Sequence, residues 1–165
     1  MDRYDERIIK GKTEVISFVW LVLSILVAAL GLALLILIPS VGVIIFALGV
    51  FLITFTKDGL NIEYEYIITN GDIEISKIVA KKRRKLMKEI EASNVTKIDY
   101  ASTDQVKNDL SLGQIKVKKF LGSKDEGKLV AVYSGEGEKA TITLLDLNDK
   151  CVDHLKTVFK IKCNL

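Results

Sequence analysis

From Val15 to Thr56 the chain runs for about 42 residues without an Asp, Glu, Lys, Arg or His. Such a stretch is too extensive to be left facing water. A hydrocarbon core of about 30 Å accepts about 20 helical residues, so the run is too long for one crossing and suits two. Its only break is Pro39-Ser40. Proline fits the first position of a helix and resists the interior, which places the turn there and predicts spans over 15–37 and 39–55. At about 1.5 Å per residue these measure roughly 35 Å and 26 Å, and tilt or local thinning takes up the difference.

A cleaved signal peptide also opens with a basic segment, here Arg3, Arg7, Lys10 and Lys12. The apolar stretch far exceeds a signal h-region, however, and Ala28-Ala29 lies deep inside it rather than after it. The same basic residues, with Lys57, flank the outer ends of the run while its turn carries none. Orientation follows the positive charge, so the expectation is a multi-pass cell-membrane protein with both termini cytosolic. Within the run the side chains able to hydrogen-bond are Ser17, Trp20, Ser24, Ser40, Thr54 and Thr56. Ion and proton pathways usually need ionisable groups, so a transporter working alone is not expected. Small residues recur at helical spacing, as in Ser24 with Ala28, Ala29 with Ala33, and Gly42 with Gly49. Such positions let helix backbones approach closely, first of all within the hairpin itself.

Composition matters here only through its segregation. The chain is 49% apolar and 27% charged, averages that an ordinary soluble domain would share. Yet 20 of the 24 basic and 17 of the 21 acidic residues lie from Lys57 onward, so the whole net charge of +3 belongs to that part. The organisation read from this is a cytosolic segment over 1–14, a transmembrane hairpin over 15–56 and a cytosolic domain over 57–165. Two cysteines, Cys151 and Cys163, read as reduced cytosolic thiols. With one His they make a poor metal ligand set, and neither a metal nor a cofactor is expected.

Past Lys57-Asp58-Gly59 the pattern takes a period of two. Ile62, Tyr64, Tyr66 and Ile68 share one strand face. Asn70-Gly71 supplies a tight hairpin turn, since both residues tolerate positive φ. The return strand covers 72–79, with a phase shift before Ile78 that suggests a bulge. Further strands are predicted over 86–91, 95–100, 115–121, 128–133 and 139–145, divided by turn-rich segments that include Gly122 to Gly127 and Ser134 to Gly137. The polar stretch from Ala101 to Gly113 reads as a loop holding at most one helical turn. A helix closes the chain, with Asn148 as N-cap, Asp149 at its positive end, lysines 156, 160 and 162 toward the other, and Val152, Leu155, Val158 and Phe159 on one face. The fold class is therefore α+β, an N-terminal transmembrane helical hairpin followed by a partly open β-barrel of about seven strands plugged by a C-terminal helix.

This order of elements is similar to the PH-like fold. The chain resembles a family of small bacterial membrane proteins, a domain-of-unknown-function family with the same layout. The likeness is carried by Met1-Asp2-Arg3-Tyr4, by Glu63-Tyr64-Glu65-Tyr66 through Thr69-Asn70-Gly71-Asp72, and by Lys77-Ile78-Val79-Ala80-Lys81-Lys82-Arg83, with a looser match from Leu144 to Phe159. Where the family tends to show Phe-x-Pro before the last helix, this chain has Leu145-Asp146-Leu147. The resemblance implies no assigned activity. PH-like domains that read phosphoinositides generally use a basic loop between the first two strands, and Asn70-Gly71 carries no base, so that activity is not carried over.

The one concentrated charge feature is Lys81-Lys82-Arg83-Arg84-Lys85 with Lys88 just after. Near a bilayer each such residue contributes on the order of 1 kcal/mol of attraction to anionic lipid. The bland reading is a solvated turn. Nucleic acid is not expected, because no recognition helix or stacking motif accompanies the run. His154 has no plausible partner acid, base or nucleophile nearby in sequence and is expected at the edge of the helix stripe. No phosphate loop, carboxylate pair or nucleophile elbow is present, and Asn94-Val95-Thr96 is a chance glycosylation match on a cytosolic face. The expected function is non-catalytic: a membrane-tethered module that presents its edges, its loops or the Tyr64/Tyr66 sheet to the membrane surface or to a protein partner, with self-association as a further possibility. The alternative is an accessory or regulatory subunit of a larger membrane complex, a transporter or secretion machinery, contacted through the hairpin.

Overall fold

A computed structural model of the chain describes residues 3–12, 15–123 and 127–165. Met1-Asp2 of the family likeness, part of the 1–14 segment and the centre of the predicted turn at 124–126 lie outside the described residues. The chain divides into two compact units, one formed by Met1–Gly11, Glu63–Ile78 and Arg84–Leu165, the other by Lys12–Ile62 and Val79–Arg83.

The second unit is built on two helices, α1 (Val15–Leu37) and α2 (Pro39–Asp58). Only Ile38 separates them, and Pro39 sits at the first turn of α2, where its missing N–H costs nothing. Both are long and apolar enough to cross a membrane. Little of either is buried, 17% and 11% of their apolar windows, whereas a core helix of a soluble protein would be mostly covered. The hydroxyls close on the backbone: Ser24 Oγ donates to the Trp20 carbonyl at 2.7 Å and Thr56 Oγ1 to that of Leu52 at 2.8 Å, so neither needs water. Gly31, Gly42 and Gly49 are buried where the helices meet. A Cβ built on them would lie 2.3 Å from Phe46 N, 2.4 Å from Leu35 N and 2.5 Å from Ala28 Cα. Ser24 and Ala28 are buried in the same seam. Ala29 and Ala33 are exposed; this pair does not pack the hairpin, and Gly31 takes the place the spacing had assigned to it.

All seven expected strands are present, as β2 (Ile62–Thr69), β3 (Asp72–Val79), β4 (Arg83–Ile90), β5 (Val95–Tyr100), β6 (Lys116–Phe120), β7 (Lys128–Ser134) and β8 (Thr141–Leu147). Two more join them, β1 (Tyr4–Lys10) and the short β9 (Cys163–Asn164). They form a four-stranded sheet in the order β1-β2-β3-β4 and a five-stranded one in the order β6-β8-β7-β5-β9. A bridge between Gly11 and Gly122 joins the sheets at one corner, where Ser123 N–H donates to the Lys10 carbonyl at 2.7 Å. The expected hairpin turn is confirmed by φ of 52° at Asn70 and 101° at Gly71. In β3 the alternation breaks at Ile75-Ser76, both buried.

The main core lies between the sheets, with Tyr66, Ile68, Ile73 and Ile75 meeting Ile98, Val130, Val132 and Leu145. The C-terminal helix α4 (Asp149–Val158) plugs it, and Asn148 Oδ1 caps that helix by accepting from Cys151 N–H at 2.9 Å. Val158 faces outward at 40% exposure, and Cys151 and His154 complete the buried stripe instead. The stretch expected as a loop holds α3 (Asp104–Leu112), ended by Gly113 at φ 64°. Its Val106 and Leu110 cover Ala131, Ile142 and Leu144 in a second, smaller cluster.

The segment before the two apolar helices is part of the first unit. Tyr4–Lys10 pairs antiparallel with β2 from Tyr4↔Thr69 to Lys10↔Glu63. Arg7 makes a 2.9 Å ion pair with Asp146 in which both side chains are nearly buried, and Arg3 reaches Asp153 and Thr157 at 2.8 and 3.0 Å.

Candidate functional site

The basic run is split by the fold into three environments. Lys81, Lys82 and Arg83 form the β3–β4 turn and its exit, all exposed, and they belong to the same compact unit as the two helices. The turn is closed by Lys82 N–H donating to the Val79 carbonyl at 3.1 Å, with Ala80 at φ 54° and Lys81 at φ 57°. This is the backbone that Asn70-Gly71 adopts one hairpin earlier, but here no residue suits it. Non-glycine residues held there cost of order 1 kcal/mol or more each, and such strain persists only where the surroundings hold it in place. The hold is visible: Ala80 N–H donates to the Asn61 carbonyl at 2.8 Å, three residues past the end of α2. A recess of about 270 Å³ lies there, lined by Phe55, Asp58, Gly59, Ala80, Lys82 and Arg83.

Arg84 is different. Its guanidinium pairs with Glu65, a carboxylate on β2 that is 1% exposed. Burial pushes the Glu65 carboxyl above its ordinary value, against the pull of Arg84. Lys85 remains exposed. Lys88 leaves the cluster altogether: its Nζ donates to Thr141 Oγ1 at 2.7 Å and Thr143 Oγ1 at 2.8 Å on β8. Desolvation, with the Lys118 charge adding to it, brings its pKa down to about 8. The six-residue cluster is thus three exposed cations beside the helix end, one ion-paired arginine, one solvated lysine and one lysine turned into the domain.

Two further expectations need correction. Tyr66 is fully buried and donates its hydroxyl to the Phe120 carbonyl, while Tyr64 stacks edge-on against the Phe120 ring, so this strand face is core rather than a docking surface. His154 sits inside the stripe, not at its edge: it is 0% exposed, and its Nδ1 lies 2.8 Å from Asp5 Oδ2. The partner comes from β1, almost the whole chain away in sequence, which is why no local signal announced it. Cys151 lies one turn back on the same helix. Together the three have the composition of a nucleophile triad, but the thiol is fully buried and its pKa is pushed up to about 11. A thiol so placed is not activated. Among the described residues no group of three His, Cys, Asp or Glu is placed to hold a metal, and both cysteines are free.

Fold and site together define a class: an α+β PH-like domain, closed by a C-terminal helix and joined in one chain to a pair of membrane-length apolar helices. The chain belongs to the bacterial PH-like domain family DUF6106, whose model matches residues 1–165. Comparison with curated proteins and with solved structures finds no match.

Proposed function

We propose that the protein is a membrane-tethered, non-catalytic module with both termini in the cytosol, and that its β3–β4 turn engages the anionic surface of the leaflet in which the hairpin is anchored. The observation that carries this is the grouping of Lys81, Lys82 and Arg83 with the end of α2, where the first charged residue after the apolar run, Lys57, also stands. Cations at the point where a helix leaves hydrocarbon meet anionic headgroups at close range, each contributing about 1 kcal/mol. Tethering raises the local lipid concentration, so even this modest attraction is enough to orient the domain. The exposed lysines Lys10 and Lys12 just before α1 support the cytosolic placement of the amino-terminal end.

The test uses the full chain in phosphatidylcholine vesicles with and without phosphatidylglycerol. Amide hydrogen exchange across 80–83 slows when phosphatidylglycerol is present, and added salt reverses the effect. Exchange that ignores lipid charge refutes the reading. The outward-facing Ala29 and Ala33 favour a second reading, an accessory subunit that packs these positions against another membrane protein. Crosslinks placed at 29 and 33 in native membranes, forming to a second polypeptide, distinguish it.

A further inference from the structure

At the foot of the hairpin a groove of about 400 Å³ opens between the helices, lined by Ser17 and Trp20 of α1 and by Leu52, Phe55 and Thr56 of α2, with Gly59 at its end. Its walls are almost wholly apolar, because the Thr56 hydroxyl is already bonded to the Leu52 carbonyl. Phe55 and Gly59 also line the recess that holds Lys82 and Arg83. The apolar slot and the cationic pocket therefore adjoin at Phe55 and Gly59, within one compact unit. At about 1.5 Å per residue the slot occupies the first two turns of α1 and the last two of α2, the depth of lipid glycerol and upper acyl carbons.

We infer that these two adjoining recesses together form a binding site for a single anionic glycerophospholipid. The upper part of one acyl chain lies along Trp20, Leu52 and Phe55, and the headgroup phosphate is held by Lys82 and Arg83. Arginine offers the phosphate a planar pair of donors and lysine a point charge. Asp58 is the one carboxylate in the pocket. It opposes the phosphate, but Lys82 and Arg83 line the same pocket, and two cations against one carboxylate leave it positive. The backbone supplies a second observation: the same fold makes an unstrained turn with Asn70-Gly71, yet beside these recesses it holds Ala80 and Lys81 at positive φ and ties Ala80 to the Asn61 carbonyl. Strain retained at such a position marks a turn whose side chains are wanted there.

The inference rests on the membrane-tethered reading, and the single tryptophan of the chain, Trp20, tests the two separately. The full chain is placed in mixed phosphatidylcholine and phosphatidylglycerol vesicles in which either lipid carries brominated acyl chains at equal mole fraction. Brominated phosphatidylglycerol is expected to quench Trp20 severalfold more than brominated phosphatidylcholine. The preference is expected to vanish in the K82Q/R83Q variant and to survive in K85Q/K119Q, which loses the same charge at exposed positions outside these recesses. Equal quenching by the two lipids, or equal loss of preference in both variants, overturns the site while leaving the tether intact. Quenching by neither lipid overturns the tether and the site together. Brominated phosphatidylethanolamine quenching as strongly as phosphatidylglycerol overturns the assignment to an anionic headgroup.

Discussion

Lys88 sits in the domain as a cation held by two hydroxyl acceptors, those of Thr141 and Thr143, and its titration should be measurable as stability. Below pH 8 it is charged in both the folded and unfolded chain, and the folded state bears the cost of desolvating it. As pH rises through about 8 the folded protein releases that proton, while the unfolded chain holds it until about 10.5. Between those values the unfolded state binds more protons, so stability rises with pH. The depression corresponds to about 3 kcal/mol if felt in full, and about 1–2 kcal/mol once the remaining solvent contact of the side chain screens it. Lys88→Met abolishes the titration but leaves Thr143, fully buried, without its donor, at a cost of about 1 kcal/mol that does not depend on pH. The quantity to follow is therefore the difference between wild type and Lys88→Met in urea unfolding of the full chain in detergent, read by the loss of sheet circular dichroism. It should move in favour of wild type by about 1–2 kcal/mol from about pH 7 to about pH 10. A difference that stays flat over this range refutes the assignment of Lys88 as a desolvated ammonium.

Three other outcomes are expected. Arg7→Leu strips one partner from the nearly buried pair with Asp146 and should lower unfolding stability by roughly 3–5 kcal/mol, whereas Arg3→Leu, at the exposed pair with Asp153, should change the same urea titration little; equal effects would mean that β1 is not fastened through Arg7. Gly49→Leu places a side chain where a Cβ alone comes within 2.5 Å of Ala28, an overpacking worth about 1–3 kcal/mol. It should weaken the hairpin in detergent, read by proteolytic resistance, while Ala33→Leu leaves resistance unchanged; the reverse order would contradict the seam. Cys151, with its thiol pushed up to about 11 by burial, should resist iodoacetamide at neutral pH and react once the chain is unfolded, as peptide mass mapping would report; rapid labelling of the folded chain would show that the helix is not packed as described.

What could be read along the chain was whatever depends on near neighbours. A helix in lipid satisfies its own backbone, so the apolar run, its one proline and the boundaries at Val15, Leu37 and Pro39 follow from the order of residues alone. The same holds for Asn70-Gly71, for the Asn148 cap and for the alternation of the seven strands, each a pattern complete within a few positions. α3 escaped because only Val106 of its nine residues is fully buried. A Thr-Asp start, the Val106–Leu110 spacing and Gly113 at its end were the signals that could have found it.

Tertiary structure decided everything that required distant segments to meet. Arg7 and Asp146, Asp5 and His154, and Lys88 with Thr141 and Thr143 are ordinary charged or polar residues in sequence. Each is brought into a partly or nearly buried contact only because segments far apart in the chain are folded against one another. The segment 4–10 looked like a basic flank of the membrane helices, and it is a strand because β2 offers it a ladder. The basic run was legible as charge, but its division was not, since periodicity says which side chains share a face and not what lies opposite that face. Only the fold gathers Lys82 and Arg83 beside Phe55 and Gly59, sends Arg84 to Glu65 and turns Lys88 inward, because the free energy of a charge depends on the groups and solvent around it and not on its place in the chain.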